Sequence, residues 1–266
     1  MKNCTEAQTL FEKGNILSSS CEKIAEIPYP SKDIHGFQGG CSDWQRYYYL
    51  IMMHYDFESG QEENYSKIAK IDLENGEVIK WSDELKLYHA NDITFNPKEN
   101  ILVVSNNKPH KNQLTVIDSD SLEYIRTVEL PFEVYSIEFN VKRKCYVVGL
   151  SGTFDFCLLD ESFALINERI YKGTTLTSRY TKQGVGADDE LIYFILWDGK
   201  HKKMDDFQNE ISVYDWKGNF LGVIEFDVGV SEPENISIVN GEILAVCDYN
   251  DTPTIFKIIP KLKVEI

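Results

Sequence analysis

The chain has 266 residues, with 27 Lys and Arg against 43 Asp and Glu, a net charge of −16, and 42% of it is hydrophobic. That apolar fraction supports a buried core and excludes wholesale disorder. The acid excess excludes most nucleic-acid binders, which need a clustered basic surface to release counterions, and it disfavours anionic membrane surfaces for the same reason.

The first residues, Met1-Lys2-Asn3-Cys4-Thr5-Glu6, are polar and no apolar run of signal-peptide length follows them. The most apolar stretch, 47–53, is far shorter than the ~20 residues of a membrane helix. The expectation is a monomer without nucleic-acid partner or membrane insertion, cytoplasmic or secreted with its signal removed. Cys4, Cys21, Cys41, Cys145, Cys157 and Cys247 are scattered, with no C-x-x-C pair. Zinc sites need closely spaced ligand pairs, so no metal and no cofactor is expected, and the cysteines read as buried free thiols in a reducing compartment.

Along the chain, Ile, Val, Tyr and Phe alternate with polar residues at period two, punctuated by Glu74-Asn75-Gly76, Asn96-Pro97-Lys98, Lys217-Gly218-Asn219 and Asn240-Gly241. Residues 7–17 read as an extra strand or capping turn, and 23–28 as an outer strand ending in proline. Five segments then share one plan, a polar opening, an apolar pair, a tight turn and a strongly apolar strand. Gln38-Gly39-Gly40 leads to 48–54, Asn91-Asp92-Ile93 to 101–106, and Tyr135-Ser136-Ile137 to 146–150. Gln183-Gly184-Val185 leads to 191–197, and Glu234-Asn235-Ile236 to 243–248. A repeat near fifty residues with four strands per unit is the mark of a propeller blade. The third strands of four units end in Asp72, Asp118, Asp160 and Asp215, whose carboxylates suit the backbone N–H groups of a hairpin turn. The fold class is therefore all-β. It is expected to be a five-bladed β-propeller of four-stranded antiparallel blades, one domain over 1–266, its ring closed by an N-terminal strand. Such a ring leaves no open seam.

The segments HANDITFNPKENILVVSNN (89–107) and SKIAKIDLENGEVIK (66–80) resemble the small repeat propellers grouped as YVTN, NHL or TolB-like. That likeness covers nearly the whole chain and implies a fold rather than a function.

Up-and-down connectivity brings the starts of the first strands and the ends of the second strands to one face. The rim there would carry Gln38, Asn91, Tyr135, Gln183 and Glu234, with His54, Asn106, Leu150, Trp197 and Asp248 further out. The longer links 55–66, 107–113 and 198–209 fall on the same face, and insertions gathered on one face of a repeat fold mark its binding face. His89 beside Asn91 and Asp92 is either a proton shuttle or a loop-fixing group. Glu232, Glu234 and Asp248 are suited to a cation or an amine. Trp197, Tyr135 and Trp44 offer flat apolar surface, with a core role favoured for Trp44. His110 and His201 lie in charged loops, and Lys200-His201-Lys202-Lys203 is neutralised by Asp205-Asp206.

Three functions follow. The first is recognition of a small polar molecule, glycan or peptide at the channel mouth. The second is a hydrolase or transferase using mouth carboxylates. Phe37-Gln38-Gly39 is partly similar to the Phe-Thr-Gln-Gly motif of plant-type glutaminyl cyclotransferases, but His54 stands near where that family has a glutamate. Five-bladed glycosidases place three carboxylates around the channel, roles that would fall to Asp92, Glu234 and Asp248, although Gln38 and Gln183 hold two ring positions where an acid would serve. The third is a protein-interaction scaffold. No G-x-S-x-G, Walker A or H-E-x-x-H motif occurs.

Overall fold

Period-two alternation of β-branched and aromatic residues gives strands that send successive side chains to opposite faces, and the computed structural model is built almost wholly of them. It describes residues 4–263 apart from 33, 57–60, 88, 175–179, 200–207 and 230. A short helix, α1 (Ala7–Phe11), precedes β1 (Ile16–Glu26), so the expected extra strand or cap at 7–17 is one helical turn and the start of a strand. The next sheet is β2 (Ile34–Ser42), β3 (Tyr47–Asp56), β4 (Gln61–Asp72) and β5 (Glu77–Trp81). It is followed by β6 (Ala90–Asn96), β7 (Ile101–Asn106), β8 (Gln113–Asp118) and β9 (Tyr124–Glu129). A third comprises β10 (Val134–Asn140), β11 (Cys145–Leu150), β12 (Phe156–Asp160) and β13 (Leu165–Tyr171). Each of these three sheets is four-stranded and antiparallel, in sequence order.

The remaining strands are β14 (Thr181–Ala187), β15 (Leu191–Trp197), β16 (Asn209–Asp215), β17 (Phe220–Phe226), β18 (Pro233–Val239), β19 (Glu242–Asp248) and β20 (Pro253–Leu262). They join β1 in an eight-stranded sheet of order β14-β15-β16-β17-β1-β20-β19-β18. Two antiparallel four-strand runs meet in it. β1 pairs with β20 from Leu17 opposite Leu262 to Glu26 opposite Thr254, but touches β17 in parallel only at Ile16↔Val223 and Leu17↔Ile224. The N-terminal strand thus lies outermost beside the C-terminal one. The expected loop at 55–66 is mostly ladder, with Tyr55 opposite Glu62 and Asp56 opposite Gln61. Ladder bonds are made by the backbone and do not require the apolar alternation that stops there.

The first strands neighbour one another in a cycle, β2 beside β6, β6 beside β10, β10 beside β14, β14 beside β18, and β18 beside β2. Cores fill the spaces between successive four-strand runs. Tyr49 and Ile51 pack with Ile93 and Leu102, whereas Leu50 and Met52, facing the other way from the same strand, pack with Val246 and Ile255. Val103 packs with Phe139 and Val148, Val147 with Val185 and Phe194, and Ile195 with Ile236 and Ala245.

Carboxylates and amides close the hairpins at both ends of the sheets. Asp118 Oδ1 accepts the N–H groups of Asp120 and Ser121 at 3.0 and 2.7 Å, Asp160 those of Ser162 and Ala164 at 2.8 and 3.0 Å, and Asp215 those of Lys217 and Asn219 at 2.9 and 2.8 Å. Asp72 accepts the Glu74 N–H and the Arg46 guanidinium, which holds its carboxyl below the usual range. These are the turn roles the sequence assigns. A second series closes the inner hairpins. Asp43 takes the N–H groups of Gln45 and Arg46, Asn96 that of Lys98, Asn140 that of Arg143, and Asp188 those of Glu190 and Leu191. All six cysteines are free thiols, with Cys4 and Cys21 half-buried and the others buried. Among the described residues no helix is long and apolar enough to cross a membrane.

Ile51, Val103, Val147, Ile195 and Ala245 are 0% exposed. Replacing Ile195 with Asp buries an unpaired charge between the two four-strand runs of the eight-stranded sheet, at a cost of several kcal/mol, on the order of the whole stability of a domain. The variant is expected to lose its cooperative thermal transition, read by circular dichroism.

Candidate functional site

Every first strand is broken by a β-bulge near its start. The register shifts between Phe37 and Gly40, Ala90 and Asp92, Val134 and Ser136, Lys182 and Val185, and Pro233 and Asn235. The residues inside the shifts include Gln38, Asn91, Tyr135, Gln183 and Glu234, the rim set of the sequence analysis. An inserted residue is left out of the ladder and its side chain is re-aimed, so one irregularity, repeated, turns these groups away from the strand pairing.

Beside the second bulge sits Asp92, 1% exposed. Its Oδ1 accepts the Ile93 N–H at 2.9 Å and Asn235 Nδ2 at 2.6 Å, and its Oδ2 accepts the N–H groups of Ile137 at 3.0 Å and Val185 at 3.3 Å. Burial pushes its carboxyl well up, and the donated hydrogen bonds pull it back. All four partners donate and none accepts, so the ionised form fits the geometry. Asn235 is fixed in turn by the Tyr48 hydroxyl, which donates to its Oδ1 at 3.0 Å. Asp92 is thus a structural acceptor with both oxygens engaged, rather than a free group at the mouth. Asn106 is likewise engaged, buried and exchanging hydrogen bonds with Thr115 Oγ1 at 3.1 and 3.3 Å.

The remaining acids are differently placed. Glu234 is buried, and Glu232 and Asp248 are half-buried. The Asp248 N–H donates to the Glu232 carbonyl at 2.8 Å, tying the two segments together. Burial raises Glu232 to about 7 despite the hydrogen bond from Gln183, and the Asp248 charge adds to the rise. Glu234 is pushed well up by burial and then by Glu232 and Asp248, and Asp248 is raised by burial and by Asp251. None of the three forms an ion pair among the described residues. Gln183 bridges the rim, its Nε2 donating to Glu232 at 2.5 Å while its Oε1 accepts the Tyr135 hydroxyl at 2.8 Å. Asn91 is 4% exposed and neither its Nδ2 nor its Oδ1 has a partner among the described residues; Asp248 Oδ1 is also buried without one among them. A buried polar atom left unpaired is costly, and such atoms call for a physical reason.

Gln38 is half-buried at its bulge, Leu150 half-buried at the end of β11, and Trp197 half-buried opposite Thr181. His89 is half-buried, and its carbonyl accepts the Asn107 N–H. His54 lies in β3 opposite Ile34, but its side chain is outside the described residues, as are His201 and the 200–203 basic cluster. Trp44 is not at this mouth. It sits in the β2–β3 hairpin at the other end of the first strands, half-buried against two cores. The carboxylates form no metal-binding group among the described residues. Two participants carry no signal of their own in the sequence. Asn235 is there only a member of the opening Glu234-Asn235-Ile236. Lys182, 7% exposed, donates to the carbonyls of Leu150 and Thr153 at 2.6 and 2.8 Å, and burial lowers it to about 7.

No protein-family model matches the chain, and no curated protein sequence does. Among solved structures, the glutaminyl cyclase of Myxococcus xanthus superposes with a TM-score of 0.62 at 14% identity, over 93% of this chain and 99% of its own. The hydrazine synthase of Kuenenia stuttgartiensis gives 0.47 at 14% identity over 83% and 58%, and the WD40 domain of Neurospora crassa Pan2 gives 0.47 at 8% over 89% and 95%. The first likeness shows the fold: this chain is a β-propeller.

Two outcomes are expected. Asp92→Asn keeps the side-chain shape but turns an amide toward groups that donate, stranding about two buried donors at roughly 1–3 kcal/mol each, so its melting temperature falls sharply. Separately, Glu232 has an ordinary pKa of 4.5 and a folded value of about 7. Between those values the folded chain holds a proton that the unfolded chain has lost, so stability falls as pH rises through that window. Melting curves from pH 4.5 to 8 should show that fall, and Glu232→Gln should flatten it.

Proposed function

We propose that the chain is a five-bladed propeller in one domain, closed by β1, and that it is a recognition module whose channel mouth binds a small polar ligand by an amino group. The cycle of first strands and the β1–β20 pairing support the blade count. The observation that carries the function is the set Glu232, Glu234 and Asp248, one buried and two half-buried on segments tied together by the Asp248 N–H, without a counter-cation among the described residues. Neighbouring buried carboxylates raise one another and destabilise the empty fold, and an ammonium group relieves both penalties at once. Asn91, with an unpaired amide on the same rim, supplies a donor and an acceptor for a second polar group on the ligand. An amino sugar and the free N-terminus of a peptide are two forms of such a ligand. Because Glu232 loses its proton at about 7, an ammonium ligand binds more tightly above that pH than below it.

A second reading is a transferase of the glutaminyl cyclase kind. It is favoured by the near end-to-end superposition on the Myxococcus xanthus enzyme and by a carboxyl poised near 7, suited to general-base work. Release of ammonia from a peptide with an N-terminal glutamine would decide for it.

The test of recognition is a thermal-shift series pairing glucosamine with glucose, and short peptides with their N-acetylated forms. The amine-bearing member of at least one pair should raise the melting temperature and its blocked partner should not. Glu234→Gln and Asn91→Ala should fold as the parent does and lose that shift. A series in which no amine raises the melting temperature overturns the reading.

A further inference from the structure

The first strands have a second end. Where they turn back, at the opposite pole from the bulges, lies a cavity of about 880 Å³ that draws on the inner hairpins of successive sheets. Seven-residue strands at about 3.3 Å per residue put the two poles roughly 20 Å apart. We propose that this cavity is a second binding site, independent of the acidic mouth, and that it takes a small aromatic amine.

Its size falls within the few hundred to about 1,000 Å³ of small-molecule pockets. Phe95 and Phe139 form a buried floor, 7% and 1% exposed. Trp44 forms a wall, its ring centroid 5.8 Å from that of Phe95. The tryptophan is held there by its backbone. Its φ is +58°, a left-handed conformation rare for a bulky residue, and its N–H donates to Ser42 Oγ at 2.9 Å. Val141, 48% exposed, adds apolar surface at the rim.

Charge selects the ligand's other end. The charged residues lining the cavity are Asp43, Asp189 and Lys142, and the Lys142 ammonium is already 3.5 Å from Asp189 Oδ2 and 3.7 Å from Glu190. The lining is therefore net negative. Asp43 gives its Oδ1 to the N–H groups of Gln45, Arg46 and Tyr47, and its Oδ2 has no partner among the described residues. Asp43, with one carboxylate oxygen left over from its turn, and Trp44 line the same cavity, and together they suit an ammonium carried by an aromatic ring, which the charge and the ring quadrupole both attract. An anionic aromatic of the same shape meets repulsion.

Tryptamine, indole and indole-3-acetate share one ring and differ in charge, and ligand-observed NMR titration of the whole chain compares them. Tryptamine is expected to bind at least tenfold more tightly than indole-3-acetate, with indole between. Asp43→Asn keeps the turn acceptor but removes the charge, and should bring tryptamine to the affinity of indole. Val141→Arg, at an exposed rim position, adds a positive charge there and should weaken tryptamine by tenfold or more. Absence of tryptamine binding at millimolar concentration overturns the proposal. So does binding that survives both substitutions but is lost in Glu234→Gln, which would place the amine at the acidic mouth.

Discussion

One carboxylate holds the middle of this molecule together. Asp92 stands on β6 and accepts from the backbone of β10, the backbone of β14 and the side chain of β18. The remaining first strand, β2, reaches it through an absence. A Cβ on Gly39 would lie 2.3 Å from Asp92 Cα and 2.7 Å from its Oδ1. Only a residue without a side chain lets β2 come so close. The same device recurs at Gly184, where a Cβ would lie 2.8 Å from Asn235 Cα. All the first strands therefore converge on a single anion, which satisfies donors left over where the bulges interrupt the ladder. The hydrophobic cores between sheets supply most of the burial, but they are alike from sheet to sheet. The Asp92 bonds are directional and tell the strands how far in to come.

The bulges link that architecture to the rim. Each frees one or two residues from strand pairing, and the polar group beside it either turns inward to join the Asp92 cluster or faces the mouth. Asp92 and Asn235 turn inward, while Asn91, Tyr135, Gln183 and Glu234 are the residues that the register skips. Groups saturated by hydrogen bonds and groups left over are thus adjacent in sequence, Asn91 next to Asp92 and Glu234 next to Asn235, according to which side of one bulge they occupy.

This explains what the sequence made legible and what it hid. The repeat near fifty residues, the third-strand aspartates and the buried second-strand positions all follow from local patterns, and local patterns survive in a single chain. The residues that fall in the bulges are legible too, because polar groups opening an apolar strand stand out. What the pattern could not say was that Asp92 is saturated whereas Glu234 is not. That depends on donors 45 to 143 positions away, and no periodicity reports them. Gly39-Gly40 and Gly184-x-Gly186 were the available signal, since glycines inside strands mark close backbone approach, yet their partner could not be named. Trp44 reads from sequence as flat apolar surface with a core role favoured, and it does pack against two cores; what the pattern hides is the left-handed backbone that sets it in a hairpin at the far pole.

The contrast between the two kinds of buried acid is the strongest argument about use. Asp92 shows that this fold can bury a carboxylate and satisfy it completely, with four donors drawn from several strands. Glu138 is also buried and accepts the Thr94 hydroxyl, which itself accepts the Phe139 N–H. Glu234 lies one residue from Asn235, within a chain that carries 27 basic residues, and receives neither a described hydrogen bond nor an ion pair. Nor does the mouth gain its acids as a by-product of the hairpin turns, whose aspartates lie at other strand ends with their own N–H donors. A group held near two like charges at a cost to the empty fold is stabilised by whatever brings the missing positive charge. The same reasoning applies to Asp43, one oxygen spent on its turn and the other left over in the cavity that Trp44 also lines. In both places the fold satisfies what it needs for itself and leaves an acid over, and the two remainders lie at opposite ends of the first strands.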